Sequence, residues 1–214
     1  MLEAFRLPIL RGVVVDGSDD AVARFSRTGG PVALKAVADG VLHKAAAGGV
    51  RLGLGSADAV RQAAEEFVDR FGARLRGLLV QPMASAGAEL LVGVTSDAVF
   101  GPLVAVGLGG TVTDLALDRT HRLVPLSDAD AEEMLGEFRA GEKLFDPGRV
   151  PAVDRPAVRE VIVRVARLAE LLPEVVELDL NPVLAGPDGC VAVDARIRVA
   201  PPPTDDPALR ALRI

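Results

Sequence analysis

The stretch Val175-Val176-Glu177-Leu178-Asp179-Leu180-Asn181-Pro182-Val183-Leu184-Ala185-Gly186-Pro187-Asp188-Gly189-Cys190-Val191-Ala192-Val193-Asp194-Ala195-Arg196-Ile197-Arg198-Val199 reads as two strands about a turn. Gly-Pro-Asp-Gly is turn chemistry. A four-residue loop over 186–189 sets the register, so that Ala185 faces Cys190, Asn181 faces Asp194 and Asp179 faces Arg196. Period-two alternation then puts Glu177, Asp179 and Asn181 on one face and Leu178 and Leu180 on the other. Hard oxygen donors gathered in this way suit Mg²⁺, which takes one or two carboxylates and completes its shell with water and substrate phosphates. The spacing also leaves open a solvated hairpin face with a cross-strand Asp179–Arg196 ion pair.

Working outward, Asp154 and Pro156 open a helix with Val158, Val161, Ile162, Val165, Leu168 and Leu172 inward and Arg155, Arg159 and Arg164 outward, and Pro173 stops it. Ser127 and Asp130 resemble a capping box before Ala131, Met134, Leu135 and Phe138, and Gly141 closes that helix. Strands are expected over 88–94, 100–107, 112–118 and 122–126. Nearer the start, a strand at 13–15 precedes a helix capped by Ser18 and ended by Gly29-Gly30, then a strand over 32–37. A second helix opened by Ser56 carries the stripe Val60, Ala63, Ala64, Phe67 and Val68, and a strand over 77–83 follows. The organisation read from this is a lobe over 1–82, a second over 83–199 and a weakly patterned tail over 200–214, in which Leu209 and Leu212 pack back.

With 214 residues, half of them apolar, the chain supplies one core or two small lobes. A formal charge of −6 and no Lys/Arg-rich run are the wrong footprint for nucleic acid. Seven Phe with no Tyr or Trp leave few platforms for stacking bases. Cys190, the one cysteine, makes no intrachain disulfide, and there is neither a signal-like start nor an apolar run of about 18 residues. A cytoplasmic protein without membrane contact is expected.

Lys35 interrupts the apolar run Val32-Ala33-Leu34-Lys35-Ala36-Val37. Its ammonium needs a partner, either a nucleotide phosphate or, on an edge strand, water as a guard against aggregation. The small-residue loop His43-Lys44-Ala45-Ala46-Ala47-Gly48-Gly49 can fold its amides over phosphates, and its histidine is a candidate phosphoryl acceptor or a plain hydrogen-bond donor. Walker, Rossmann, zinc and nucleophile-elbow motifs are absent from the sequence.

Taken in order, Lys35, His43-Lys44 with Gly48-Gly49-Val50, Val80-Gln81-Pro82-Met83 with Glu89, Phe100-Gly101-Pro102, Gly107-Leu108-Gly109-Gly110, Asp118, Arg122 with Pro125-Leu126, and Glu177 to Pro182 with Asp194-Ala195-Arg196 form an ordered series. That series resembles the ATP-grasp domain of ADP-forming (NDP-forming) acyl-CoA synthetases, related to the succinyl-CoA synthetase β chain, over roughly residues 4–199. The resemblance implies an α+β fold of two lobes with mostly antiparallel sheets and the nucleotide bound between them. It also implies Lys35 on the α/β-phosphates, Val80, Gln81 and Met83 beside adenine, Glu89 near ribose, and Gly109 and Gly110 among the nucleotide-binding positions. Asn181 and Asp194 match Mg²⁺ ligands, with Asp179 close by, and His43 matches a phosphoryl-relaying histidine.

The reaction so implied is ATP + carboxylic acid + CoA ⇌ acyl-CoA + ADP + phosphate, acetate or a similar short acid being the default. CoA and the acid would be bound by a partner CoA-binding domain, in an enzyme that is an oligomer when complete. Family chains carry a further helical stretch ahead of residue 2, so the resemblance suggests a domain of a longer protein. Ala45 and Ala46 replace the usual Ser-Asp after His-Lys, Asp114 stands where a glutamate is usual, and residues 144–150 depart from an expected Arg-Gly pair. Those departures raise a second reading: a degenerate nucleotide- or acyl-CoA-sensing domain attached to a protein acetyltransferase.

Overall fold

A computed structural model of the protein describes residues 1–97, 99–109, 118–137, 139, 141–146, 148 and 152–201. The chain divides into two units, one of Leu10–Ala84 and one of Met1–Ile9 together with Ser85 onward.

In the first unit a four-stranded antiparallel sheet is built from β1 (Val13–Val15), β2 (Val32–Ala38), β3 (Val50–Leu54) and β4 (Leu75–Pro82), in the order β1-β4-β2-β3. Helices α1 (Ser18–Thr28) and α2 (Ala57–Phe71) cover one face, closing Val60, Ala63, Ala64, Phe67 and Phe71 over Val32, Leu34, Ala36, Leu78 and Val80. Ser56 caps α2 by accepting from the Ala59 amide, as its sequence signature suggests. Val68 is exposed and Phe71 is the buried residue at the end of the stripe, because the apolar arc follows 60, 63, 64, 67, 71 round the helix. Ser18 does not cap α1. It is already helical, and Gly17 is the cap residue, its carbonyl accepting from Ala21. The αL glycine that ends α1 is Gly29, at φ 75°.

The second unit holds β5 (Ala88–Asp97), β6 (Gly101–Leu108), β7 (Arg119–Leu123), β8 (Val175–Gly186), β9 (Gly189–Ala192) and β10 (Ala195–Val199). They pair antiparallel in the order β10-β8-β5-β6-β7, with β9 on β8. Helices α3 (Asp128–Glu137) and α5 (Arg155–Leu171) contribute Met134, Leu135, Val158, Ile162, Val165 and Leu168 to a core shared with Leu90, Val92, Val94, Leu178 and Leu180. The capping box is realised: Ser127 N–H and Oγ–H donate to Asp130 Oδ2 at 2.6 and 2.7 Å. Asp154 caps α5, and its arginines reach solvent-side acids, Arg155 to Glu132, Arg159 to Asp128 and Arg164 to Glu160.

Three boundaries differ from the sequence expectation. The strand placed at 122–126 lies at Arg119–Leu123, where its ladder with β6 ends two residues short of Pro125, which has no N–H to offer. Gly141 does not end α3 but starts a short helix, α4 (Gly141–Leu144). Met1–Ile9 packs with the second unit: Leu7 is in its core, and Ala192 N–H donates to Pro8. Phe138, residues 112–117 of the expected strand, Asp114 and the tail from 202, with Leu209 and Leu212, lie outside the described residues.

Gly93 sits where β5 crosses close to β8, and a Cβ there would lie 2.6 Å from the Leu178 carbonyl oxygen. Gly93→Ala is expected to cost about 2 kcal/mol by overpacking, read by chemical denaturation, and wild-type stability would contradict that close approach. Burial pushes the Cys190 thiol up to about 11, helped by the nearby Asp154 charge. Its alkylation at pH 8.5 is therefore expected to run at least about tenfold slower than that of glutathione, with a rate still climbing past pH 10.

Candidate functional site

Only two polar or charged residues are buried among those described, and they share a face. Lys35 on β2 is 6% exposed and Gln81 on β4 is 5% exposed. Val32, Leu34 and Ala36 point to the helices, so Lys35 and its strand neighbour Ala33 point away, and the pairs Lys35↔Leu79 and Ala33↔Gln81 bring both polar side chains to that side. Because β2 lies between β4 and β3, the edge-strand explanation for Lys35 fails. Gln81 donates from Nε2 to the Leu10 carbonyl at 2.8 Å, which fixes its amide orientation, while its Oε1 is buried with no partner among the described residues. Gly12 makes room for it, since a Cβ there would sit 2.4 Å from Gln81 Cγ. Val80 turns its side chain into the helix-packed core, leaving only its backbone for any ligand. Met83 is exposed, and its Sδ accepts from Gly53 N–H at 3.3 Å.

The loop from His43 to Gly49 is folded on itself: Ala47 N–H donates to His43, Gly48 N–H to Ala45 and Gly49 N–H to Lys44. Arg51 pins it. Its Nη1 donates to the Gly48 carbonyl at 3.2 Å, while Nε and Nη2 grip Glu66 Oε2 on α2 at 3.1 and 2.8 Å. His43 is exposed, and its ring makes no hydrogen bond among the described residues. Sequence reading missed Arg51 because strand β3, which carries it, shows too short an apolar pattern to stand out.

In the second unit the hairpin register is as the turn predicts, with Ala185↔Cys190 and Arg196↔Asp179. Gly186 also pairs with Gly189, so the connecting turn tightens to Pro187-Asp188. Asp194 falls in the break between β9 and β10, which keep the same register on β8 on both sides; Asn181 lies within β8 across from that break, where Val193 N–H donates to the Pro182 carbonyl. Leu178 and Leu180 are buried, which turns Glu177, Asp179 and Asn181 away from the helices.

The cross-strand Asp179–Arg196 pair that the spacing left open as the alternative does not form. Arg196 reaches diagonally to Glu177 at 3.4 Å, and Arg198 holds the same glutamate at 3.0 Å. Asp179 keeps one buried carboxylate oxygen, Oδ1, without a donor among the described residues. Burial pushes its carboxyl above the usual aspartate value; Arg196 and Arg119 pull it down, and Glu177 and Asp194 push it further up. An orphan buried carboxylate oxygen beside a carboxamide and a second carboxylate fits a hard divalent cation. No three His, Cys, Asp or Glu side chains cluster as a metal cage among the described residues, so such an ion relies on Asn181, water and ligand oxygens.

Glu89 is exposed on β5, and its carbonyl accepts from Gly109 N–H at 2.8 Å. Gly109 is buried, and a Cβ there would lie 2.4 Å from the Leu90 carbonyl oxygen, so only glycine fits. Gly110 lies outside the described residues.

Residues 1–199 match the family described as the ATP-grasp domain. The chain belongs to that family. As an ATP-grasp protein it is 33% identical over 202 residues to the β subunit of acetate–CoA ligase (ADP-forming) I of Pyrococcus furiosus, covering 92% of this chain and 87% of the relative. It is 35% identical to acetate–CoA ligase (ADP-forming) I of Archaeoglobus fulgidus, of which it spans 29%. The fold matches that of a dinucleotide-forming acetyl-coenzyme A synthetase 1 from Ca. Korarchaeum cryptofilum, solved with coenzyme A, Ca-AMPCP and HgCl⁺, at a TM-score of 0.86 and 37% identity, covering 93% of this chain and 89% of that one. A second structure of that enzyme holds coenzyme A and Mg-AMPPCP with its phosphohistidine segment pointing towards the nucleotide binding site. The ATP-grasp fold and the α+β class are thereby those expected from the sequence. No described helix is long and apolar enough to cross a membrane.

Arg51→Ala should release the loop. Amide exchange at Gly48 to Val50 is expected to accelerate about tenfold while exchange in α5 stays unchanged, and equal protection in the variant would show that Arg51 does not hold the loop.

Proposed function

We propose that this chain is the ATP-using part of an ADP-forming acyl-CoA synthetase, acting on acetate or a similar short acid with a CoA-binding partner domain. The observation that carries the reading is the buried oxygen of Asp179, without a partner among the described residues, set on the strand that also bears Asn181 and opposite the strand leading from Asp194. Asp179, Asn181 and Asp194 would hold Mg²⁺, which in such a site neutralises phosphate charge and orients the oxygens of a triphosphate.

The chain's own residues do the rest. Lys35, buried in a central strand, offers a fixed cation to the phosphates of ATP without a large reorganisation on binding. Gln81 presents a fixed acceptor and Gly109 a backbone position open to close approach. His43, in the loop braced by Arg51, is the group positioned to receive or pass on a phosphoryl group through a ring nitrogen.

The bare surroundings of His43 favour a second reading. With exposed Ala45 and Ala46 beside it, nothing described orients the imidazole, which suits a nucleotide-sensing domain without turnover.

Incubation with γ-labelled ATP, Mg²⁺ and the CoA-binding partner separates the two. Acid-labile label that disappears in His43→Ala is expected for the synthetase; saturable ATP binding with no label in any component means the sensor. Lys35→Ala is expected to weaken ATP binding at least about tenfold, and unchanged affinity would remove Lys35 from the site.

A further inference from the structure

The hairpin contains a competition between carboxylates for one guanidinium. Cross-strand register sets Arg196 directly opposite Asp179 and Arg198 opposite Glu177. Directly opposed side chains are the nearest partners on a sheet, and diagonal ones stand farther apart. Arg196 nonetheless makes its ion pair with the diagonal Glu177, at 3.4 Å, and no other among the described residues. Glu177 is well placed to win. It is one methylene longer than Asp179, and Arg198 Nε already fixes its other oxygen, Oε2, at 3.0 Å, which orients Oε1 towards Arg196. The loser is left with an oxygen that is both buried and without a donor among the described residues. Such an atom is costly unless a ligand answers it.

We propose that Glu177 is a positioning residue: by holding Arg196 along the strand it keeps the buried oxygen of Asp179 clear of its cross-strand cation and available to a divalent metal ion. The inference rests on the reading of the Asp179, Asn181 and Asp194 hairpin as a metal site, and adds to it the residue that keeps the site from being closed by an internal ion pair. Four charged groups act on Asp179: Glu177 and Asp194 raise the negative potential there, and Arg196 and Arg119 oppose it. Of these, Arg196 stands opposite Asp179 in the strand register.

Removing Glu177 frees Arg196 to turn onto Asp179, and a cation must then displace a guanidinium. Binding of Mn²⁺ to the intact chain, read from the free-ion electron paramagnetic resonance signal at 0.3 to 0.5 M salt to screen long-range charge, tests this. Glu177→Gln is expected to weaken Mn²⁺ about five- to tenfold, Arg196→Ala alone to change it less than about twofold, and the double variant to return to within about twofold of wild type. That non-additivity marks competition. If the double variant shows only the product of the two single effects, a plain charge effect explains everything and the inference is overturned.

Two controls separate the inference from the reading beneath it. Asp194→Asn binding Mn²⁺ as tightly as wild type, or a wild type that binds none, would overturn the metal site and this proposal with it. A crystal structure of Glu177→Gln is expected to show Arg196 on the Asp179 carboxylate. An Arg196 still turned away from Asp179 would overturn the role of Glu177 and leave the metal site standing.

Discussion

Strand alternation along β8 is the constraint from which the second unit follows. Leu178 and Leu180 are driven against α3 and α5 because burying each stabilises by about 2 kcal/mol. A shift of one residue would instead bury Glu177, Asp179 and Asn181. Hydrophobic burial therefore sets the orientation of the polar side chains, and the tight Pro187-Asp188 turn sets which residues of the returning strand stand opposite them. The acidic character of that face is a by-product of packing on the other side of the sheet.

The two units share one arrangement of their sheets. Each sheet has a helix-covered face and a face turned away from the helices, and the polar side chains stand on the latter: Lys35 and Gln81 in the first unit, Glu177, Asp179 and Asn181 in the second. The glycines at 93 and 109 belong to the same scheme, because both stand where neighbouring backbone comes too near for a side chain.

Much of this was legible in the residues themselves. The hairpin register, the Ser56 and Asp154 caps, the Ser127–Asp130 box and the apolar stripes of α2 and α5 depend on local chemistry, and the structure shows them where the spacing puts them. Ser18, Val68 and Gly141 read less well, because each is decided by a neighbour one or a few positions away that competes for the same role. The partner of Arg196 was not legible at all. Register gives which residues are opposed, but the choice between Asp179 and Glu177 turns on side-chain length and on a third group, Arg198, and no spacing rule carries that. Arg51 escaped for a similar reason, its role existing only once β3 and α2 are packed together.

The placement of Leu7 and Ile9 beside the last hairpin has a consequence for biosynthesis. Ile9 bridges Ala192, and Leu7 lies in the core built on α5 and β8. Residues 1–9 thus find their partners only after the distant segment 155–192 has been made, whereas Leu10–Ala84 forms a unit from residues contiguous in sequence. The inserted unit depends on local contacts, while the unit that flanks it depends on pairing across more than a hundred residues, an arrangement of high contact order that slows its closure.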